Sequence, residues 1–216
     1  MGVVNGDVTL EGQWIRLTPL ATEHVPGLLA AATEDRSTYR FTPVPATLDE
    51  LERYVAAALA DRARGWSLPF AVVRLADGEV VGSTRFLEID DWAVPMSPPG
   101  PVVGRVRAGP PRALEIGATW YRASAQRTPV NTEAKLLLLD FAFEQWCVER
   151  VSFKTDERNV RSRRAIERLG ATFEGVRRAH LLGADGEIRS SAYYSILRGE
   201  WPEVRRRLQA RLTAPS

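Results

Sequence analysis

The sequence predicts an α/β (α+β) fold, on three observations. Period-two and period-3.6 hydrophobic segments follow one another in the order β-α-α-β-β-β-α-β-α-β-β-α. Asp77-Gly78 and Asp185-Gly186 each stand between two β-rich runs, a strong local signal for an antiparallel hairpin. Hydrophobic residues make up 44% of the 216-residue chain and charged residues 26%, which suits one globular domain with a sizeable core. A single domain over residues 1–216 is expected, with its core at 8–200 and a closing helix at 201–212.

Residues 8–17 alternate, with Ile15 and Leu17 on one face and Arg16 on the other, and form the first strand. Thr22 and Glu23 open an apolar-periodic stretch through Leu28, Leu29 and Ala32. Thr47 followed by Glu50 is a capping box ahead of Leu51, Tyr54, Val55, Ala58 and Leu59. Residues 70–75 and 79–89 are two strands joined by the first Asp-Gly turn. Residues 90–113 hold six prolines and three glycines, a composition that sustains neither helix nor central strand, and are expected to be a long loop. An insertion of that length within a compact domain is either functional or disordered. A strand at 114–121 follows, then a helix at 131–146 with residues 134, 137, 138, 141 and 142 on its apolar face. A short strand at 151–155 leads to a helix at 159–169, with Asn159 as N-cap and Gly170 just past its end. Strands at 172–182 and 190–197 flank the second Asp-Gly turn. The last helix begins at Trp201-Pro202, with Val204, Leu208 and Leu212 spaced by four.

Composition excludes several classes of function. One cysteine, Cys147, allows no internal disulfide, and with two histidines, His24 and His180, it leaves no soft-ligand set for a metal. A net charge of +2 is too small to mark a nucleic-acid binder, although Lys135 and Lys154 are the only lysines among the cations. No apolar run approaches the ~20 residues of a membrane span, since the greasiest stretch, 136–143, is broken by Asp140. Residues 1–7 have neither the basic nor the apolar region of a secretory signal, so a cytoplasmic location is expected, with neither membrane nor nucleic acid as a partner.

The chemistry concentrates between Glu115 and Gly170, a strand, a turn, a helix, a strand and a helix. The turn reads Ala125-Gln126-Arg127-Thr128-Pro129-Val130-Asn131. A strand entering a helix N-terminus in this way offers free N–H groups and the positive end of the helix dipole to a pyrophosphate. The plainer account is a Pro-initiated helix, with Thr128 as N-cap and Pro129 at its first position. Cys147, after an apolar helix, reads as a small buried hydrophobe rather than a nucleophile. His180 is either at an acceptor site or structural, and Arg205, Arg206 and Arg207, on a helix, point in three directions as a solvated face does. Tyr194 is assigned to core or sheet packing, with a substrate contact as the alternative.

Several motifs together resemble the GCN5-related N-acetyltransferases, in their RimJ/RimL-like ribosomal-protein N-terminal acetyltransferase branch. Gln126-x-x-Pro129-x-Asn131 is similar to the acyl-CoA pyrophosphate loop Gln/Arg-x-x-Gly-x-Gly/Ala, and Thr132-Glu133-Ala134-Lys135 with the leucines at 136–139 is typical of the branch. The run from Asn159 to Ala171 is similar to the signature Asn-x-x-Ser-x-x-x-Ile-x-x-Leu-Gly through Asn159, Ser162, Ile166, Leu169 and Gly170. Glu115-Ile116-Gly117 and Tyr193-Tyr194-Ser195-Ile196 are also characteristic. The likeness spans residues 8–200 and departs at Pro129, which replaces the central glycine and has no N–H to donate.

The resemblance implies the acyl-CoA N-acyltransferase fold, a central mixed, mostly antiparallel sheet flanked by helices. It implies direct transfer of an acetyl or other short acyl group from acyl-CoA to a primary amine, either a protein N-terminus or a small molecule, without a metal. Amides of the bulged strand around Ala118, Thr119, Trp120 and Tyr121 would polarise the thioester carbonyl. Glu115 would draw a proton from the amine through water, or else serve as an ordinary strand carboxylate bonded to a neighbour. Ser162 would return a proton to the thiolate or simply be a polar helix residue. The cofactor is expected to lie on Gln126, Arg127, Thr128, Val130, Asn131 and Thr132, with Asn159 on the pantetheine arm or serving only as N-cap. In the 90–113 loop, Trp92 and Met96 would cover an acceptor or form a homodimer arm, and Arg105 and Arg107 would meet an acidic acceptor. A loop with no role is the alternative. A different class of function, an acyl-CoA sensor or interaction module on the same fold, is the second reading.

Overall fold

A computed structural model describes residues 8–92 and 110–213. Its element order is β1 (Leu10–Glu11), β2 (Ile15–Pro19), α1 (Val25–Thr33), α2 (Leu48–Ala63), β3 (Leu68–Arg74), β4 (Val80–Asp90), β5 (Ala113–Tyr121), α3 (Pro129–Asp140), β6 (Arg150–Asp156), α4 (Val160–Leu169), β7 (Thr172–Leu182), β8 (Ile188–Leu197) and α5 (Trp201–Thr213). All eight strands form one sheet in the order β1-β2-β3-β4-β5-β6-β8-β7. Only β5 and β6 run parallel; every other neighbouring pair is antiparallel. Among the described residues, no helix is long and apolar enough to cross a membrane.

Side-chain alternation along the strands divides the core between the two faces. Leu68, Phe70 and Val72 of β3, Leu114 and Ile116 of β5, and Ala192, Tyr194 and Ile196 of β8 pack on the side of α3, α4 and α5. Ala71 and Trp120 project the other way, into the cluster made by α1 and α2. The helical layer over the β6, β8 and β7 end is therefore one-sided, and polar residues occupy the opposite face there.

The local signals form as expected at most positions. Thr47 Oγ1 accepts the Glu50 N–H at 3.3 Å, while the Glu50 carboxylate reaches back one residue further than a capping box requires, to the Ala46 N–H at 2.7 Å. Gly170 closes α4 with φ 101°, a conformation that favours glycine. The first strand differs from expectation: a turn at 12–14 divides it into β1 and β2. Buried Glu133 of α3 accepts the N–H groups of Gln13, Trp14 and Ile15 at 2.6, 2.8 and 2.9 Å, which stabilises that turn. The helix expected over 131–146 begins at Pro129 and changes after Asp140 to a π-helical turn at Phe141–Gln145.

Cys147 corrects the sequence reading: its side chain is exposed. It follows the helical run at φ 54°, and this left-handed step turns it outward while Trp146 and Val148 on either side enter the core. Most of the 90–113 loop, including Met96, Arg105 and Arg107, lies outside the described residues; of the residues assigned to it, Trp92 is described, with the Arg150 guanidinium 5.7 Å from its ring centre.

Candidate active site

The parallel pair β5 and β6 is short. Ala113, Leu114 and Glu115 pair with Arg150, Val151 and Ser152, and beyond that rung the strands have no partners in each other. Strand β5 nevertheless continues to Tyr121 and β6 to Asp156, so the sheet parts beside Glu115. Two parted strand edges leave main-chain donors and acceptors facing the gap.

On its other side β5 pairs with β4, and there the register slips. Arg85 faces Gly117 but Ser83 faces Trp120, so Ala118 and Thr119 together oppose Thr84. Ala118 has φ 46°. This is a β-bulge, in which the extra residue leaves the regular ladder and its amide is re-aimed. The bulge lies within the span expected to carry polarising amides.

Glu115 is 2% exposed. Its Oε2 lies 2.9 Å from Nζ of Lys154, two residues beyond the last rung of the parallel pair, and Lys154 also donates to Glu88 at 2.5 Å. Burial pushes the Glu115 carboxyl above the usual carboxylate range, against the pull of Lys154. For Lys154, burial would lower the pKa, but Glu115 and Glu88 outweigh it and raise the value. The result is a desolvated carboxylate kept near an ammonium, a group able to take up a proton from a neighbour. Gly117 belongs to the same arrangement, because a Cβ there would stand 2.4 Å from Glu115 Oε1.

The same sheet face carries a polar chain centred on His180. Its Nδ1 is 2.9 Å from Ser191 Oγ and its Nε2 is 3.4 Å from the Tyr193 hydroxyl. Arg189 Nε donates to Ser191 Oγ at 3.0 Å. Burial, followed by the charges of Arg177 and Lys154, lowers the His180 pKa below its ordinary value. Tyr194, on the other face, is fully buried as expected; its hydroxyl accepts from Arg163 Nε at 2.9 Å and donates to Glu167 at 3.0 Å, fixing α4 to β8.

At the far end of β5, the turn before α3 adopts the Pro-initiated form. Thr128 is the N-cap, its Oγ1 accepting the Val130 N–H at 3.3 Å, and Pro129 takes the first helical position. Of the first-turn donors, Val130 is thus used and Pro129 has none, which leaves those of Thr128 and Asn131. Proline removes one donor there without breaking the helix. Arg127 sits at φ 61° just before the cap. Gln126 is committed elsewhere: its Nε2 donates to Tyr121 O and Thr38 Oγ1, and its Oε1 accepts from Arg161 at 3.0 Å. Arg161, in the first turn of α4, also donates to Thr38 O, so this cation of α4 faces the turn. A cavity of ≈ 350 Å³ abuts the turn from the β2 side, lined by Trp14, Thr128 and Val130 among others. Its arginine, Arg74, is already held by Asp77 and Glu79.

Asn159 caps α4, its Oδ1 accepting the Ser162 N–H at 3.0 Å. The structure therefore gives Asn159 its expected cap and places Ser162, half-buried, in the turn that follows β6 at the open side of the sheet. Thr119 and Trp120 separate at the bulge: Trp120 enters the α1 and α2 cluster, whereas the Thr119 hydroxyl meets Lys135. Thr132 is half-buried in the first turns of α3. Lys135, Lys154, Arg161 and Arg85 are among the residues of this region that the sequence does not single out for a role. Each gains its meaning from a partner distant in the chain, and no local spacing announces it.

Residues 15–172 match the family described as the acetyltransferase (GNAT) domain. No curated protein matches the chain. Among solved structures it is similar to a GCN5-related N-acetyltransferase from Brucella melitensis, with 31% identity, a TM-score of 0.78, and coverage of 97% of this chain and 87% of that one. It shares its fold with Mycobacterium smegmatis RimJ in complex with CoA-disulfide, at 20% identity, TM-score 0.77 and 96% coverage of both chains. The ribosomal-protein-S5-alanine acetyltransferase from Vibrio fischeri also has this fold, at 14% identity and TM-score 0.68, covering 90% of this chain and 99% of that one.

Proposed function

The chain belongs to the GNAT acetyltransferase family, and from that premise we propose that it transfers an acetyl or other short acyl group from acyl-CoA to a primary amine by direct attack in a ternary complex. The acceptor is a protein N-terminus or a small-molecule amine. The observation that carries this reading is the parting of β5 from β6 directly beside buried Glu115 and next to the Ala118–Thr119 bulge. A single place then offers free strand edge, re-aimed amides and a proton acceptor.

The residues present fit an acyl-CoA. The Thr128 and Asn131 amides, the positive end of α3, and the Arg127 and Arg161 side chains suit a pyrophosphate, and Arg161 would exchange its bonds to Gln126 and Thr38 for phosphate oxygens. The parted edges of β5 and β6 suit the amides of a pantetheine arm, with the Asn159 side chain at its flank. When bound, acyl-CoA supplies a thioester carbonyl activated for attack. Amides of the bulge at Ala118 and Thr119 stabilise the negative charge that develops on its oxygen. Glu115 accepts the amine proton through water, and its paired Lys154 keeps the carboxyl from being neutralised by burial alone. Ser162, at the start of α4, delivers a proton to the departing sulfur.

Steady-state CoA release with a panel of amines tests the reading. Turnover by the wild-type chain, lowered on replacing Glu115 by Gln, is expected. Tight CoA binding with no turnover of any amine would favour the acyl-CoA sensor instead.

A further inference from the structure

Arg85 is the one arginine of the described residues that is buried, at 7% exposure. Arg74 meets Asp77 and Glu79, Arg122 meets Glu34 and Glu79, and Arg158 meets Asp156 and Asp185, while half-buried Arg163 and Arg189 donate to hydroxyls. Arg85 forms no ion pair and donates no hydrogen bond among the described residues, and its Nε is sealed from solvent without an acceptor. It lies against the ring of Tyr54 in α2, whose centre is 4.7 Å from the guanidinium carbon. A cation–π contact is worth about 0.5–2 kcal/mol, whereas withdrawing a charge from water costs several kcal/mol per ion. The ring does not compensate the charge. The sequence of 93–109, between β4 and β5, contains no Asp or Glu.

The position of this cation relates it to the reaction. On the β4–β5 ladder Leu87 faces Glu115 and Arg85 faces Gly117, so Arg85 emerges one rung from Glu115 on the same sheet face and adjoins the bulge. Gly117 contributes no side chain to cover it. An amine that reaches both Glu115 and the bulge must approach within a few ångströms of this rung.

We propose that the acceptor amine carries a carboxylate, and that Arg85 is its counter-ion and so determines which amines are used. This rests on the acyltransferase reading and deepens it by naming the acceptor's chemistry. A guanidinium offers two parallel N–H donors that match a carboxylate, and a bound carboxylate would complete the charge pair that the chain itself leaves half made. The carboxylate has two sources, a free amino acid and an acidic first residue of a peptide.

The test is CoA release by the wild-type protein with matched acceptors: free amino acids against their carboxamides, and peptides beginning with Asp or Glu against those beginning with Asn or Gln. In one of these pairs kcat/KM is expected to be at least about 30-fold higher for the carboxylate member, the size associated with one half of a buried charge pair. The pair that shows the preference identifies the source. Arg85→Gln should abolish the preference and Arg85→Lys should restore part of it, with CoA affinity by calorimetry as the check on folding. Equal use of carboxylate and carboxamide in both pairs overturns the inference while leaving the acyltransferase reading intact. An Arg85→Gln variant that slows both members equally also overturns it, since that is the mark of a packing role against Tyr54. Absence of turnover with every amine would overturn both. The acceptor pairs on the wild-type chain decide the question even if the Arg85 variants do not fold.

Discussion

Lys135 Nζ of α3 lies 2.7 Å from the Thr119 hydroxyl, beneath the bulge of β5. Thr84 Oγ1, 3.4 Å from the same ammonium, is itself 2.7 Å from Thr119 Oγ1, so the lysine and two hydroxyls join α3, β4 and β5 under the proposed polarising amides. Lys135 is 6% exposed and meets no carboxylate among the described residues. Burial lowers its pKa to about 7.

That depression makes stability depend on pH in a definite direction. Lys135 is protonated in the unfolded chain up to an ordinary lysine pKa of 10.5 but loses its proton near 7 when folded, so the unfolded state binds more protons between those values. Stability should therefore rise with pH across that window and be lowest below it. Lys135→Met removes the buried charge and leaves Thr84 and Thr119 bonded to each other. It should raise unfolding free energy more at pH 6 than at pH 9, by roughly 1–3 kcal/mol. Denaturant unfolding at the two pH values measures it. A variant with the same pH slope as the wild type would show that the ammonium is not the titrating group.

The Glu115–Lys154 pair gives a kinetic counterpart. Glu115 must be ionised to accept a proton, and burial has already raised its pKa. Lys154 opposes that rise, so Lys154→Met should raise the Glu115 pKa further and move the acid limb of kcat/KM to higher pH. Glu115→Gln should lower activity most at low pH, where the amine is protonated, with partial recovery as pH rises. A pH profile over the range from 5 to 9 checks both, on the order of a tenfold loss or more at the acid end for Glu115→Gln. Wild-type turnover by Glu115→Gln throughout would remove this carboxylate from the mechanism.

Cofactor binding at the α3 turn is tested without activity. Arg127→Glu combined with Asn131→Asp places two negative charges at the positive end of the helix and should weaken CoA about tenfold or more by calorimetric titration. Arg161→Ala should weaken it about tenfold, as loss of a charged hydrogen bond does. If folded variants bind CoA as the wild type does, the phosphates lie elsewhere.

The contrast between Thr128 and Lys135 shows which parts of the site are legible in sequence. Thr128 and Pro129 announce a helix start by their types and order, and the structure has them as N-cap and first residue. Thr47 with Glu50 and the two Asp-Gly turns are local signals of the same kind, and the elements follow them. Lys135 looks like a surface residue of an amphipathic helix until α3 is packed on the bulge. Glu133, Arg161 and Arg85 are similar: Glu133 reaches a turn about 120 residues away in the chain, and Arg161 contacts Thr38 across 123 positions. The bulge is foreseeable only through family likeness, because main-chain amides leave no mark on residue type. Cys147 misleads because an apolar helix suggests burial, whereas one left-handed φ reverses the direction of the side chain.

Two glycines on facing strands separate catalysis from folding. At Gly117 of β5 an added Cβ meets Glu115 Oε1 at 2.4 Å and Leu87 Cδ1 at 3.0 Å, both ends of side chains that can move. At Gly82 of β4 it meets the Trp120 carbonyl oxygen at 2.1 Å and Tyr121 Cα at 2.9 Å, which are backbone atoms of the neighbouring strand. Gly117→Ala can be accommodated by swinging the Glu115 carboxylate away from Lys154, whereas Gly82→Ala requires β4 and β5 to separate. Overpacking of the second kind costs about 1–3 kcal/mol or more. Gly82→Ala is thus expected to lower the unfolding midpoint more than Gly117→Ala. Gly117→Ala is expected to keep most of its stability and CoA affinity yet lose turnover on the order of tenfold, the loss appearing in kcat as the proton acceptor shifts. Melting curves, CoA titration and kinetics on the two variants decide it. A Gly117→Ala enzyme with unaltered kcat would mean that the position of Glu115 against Gly117 does not matter to the reaction.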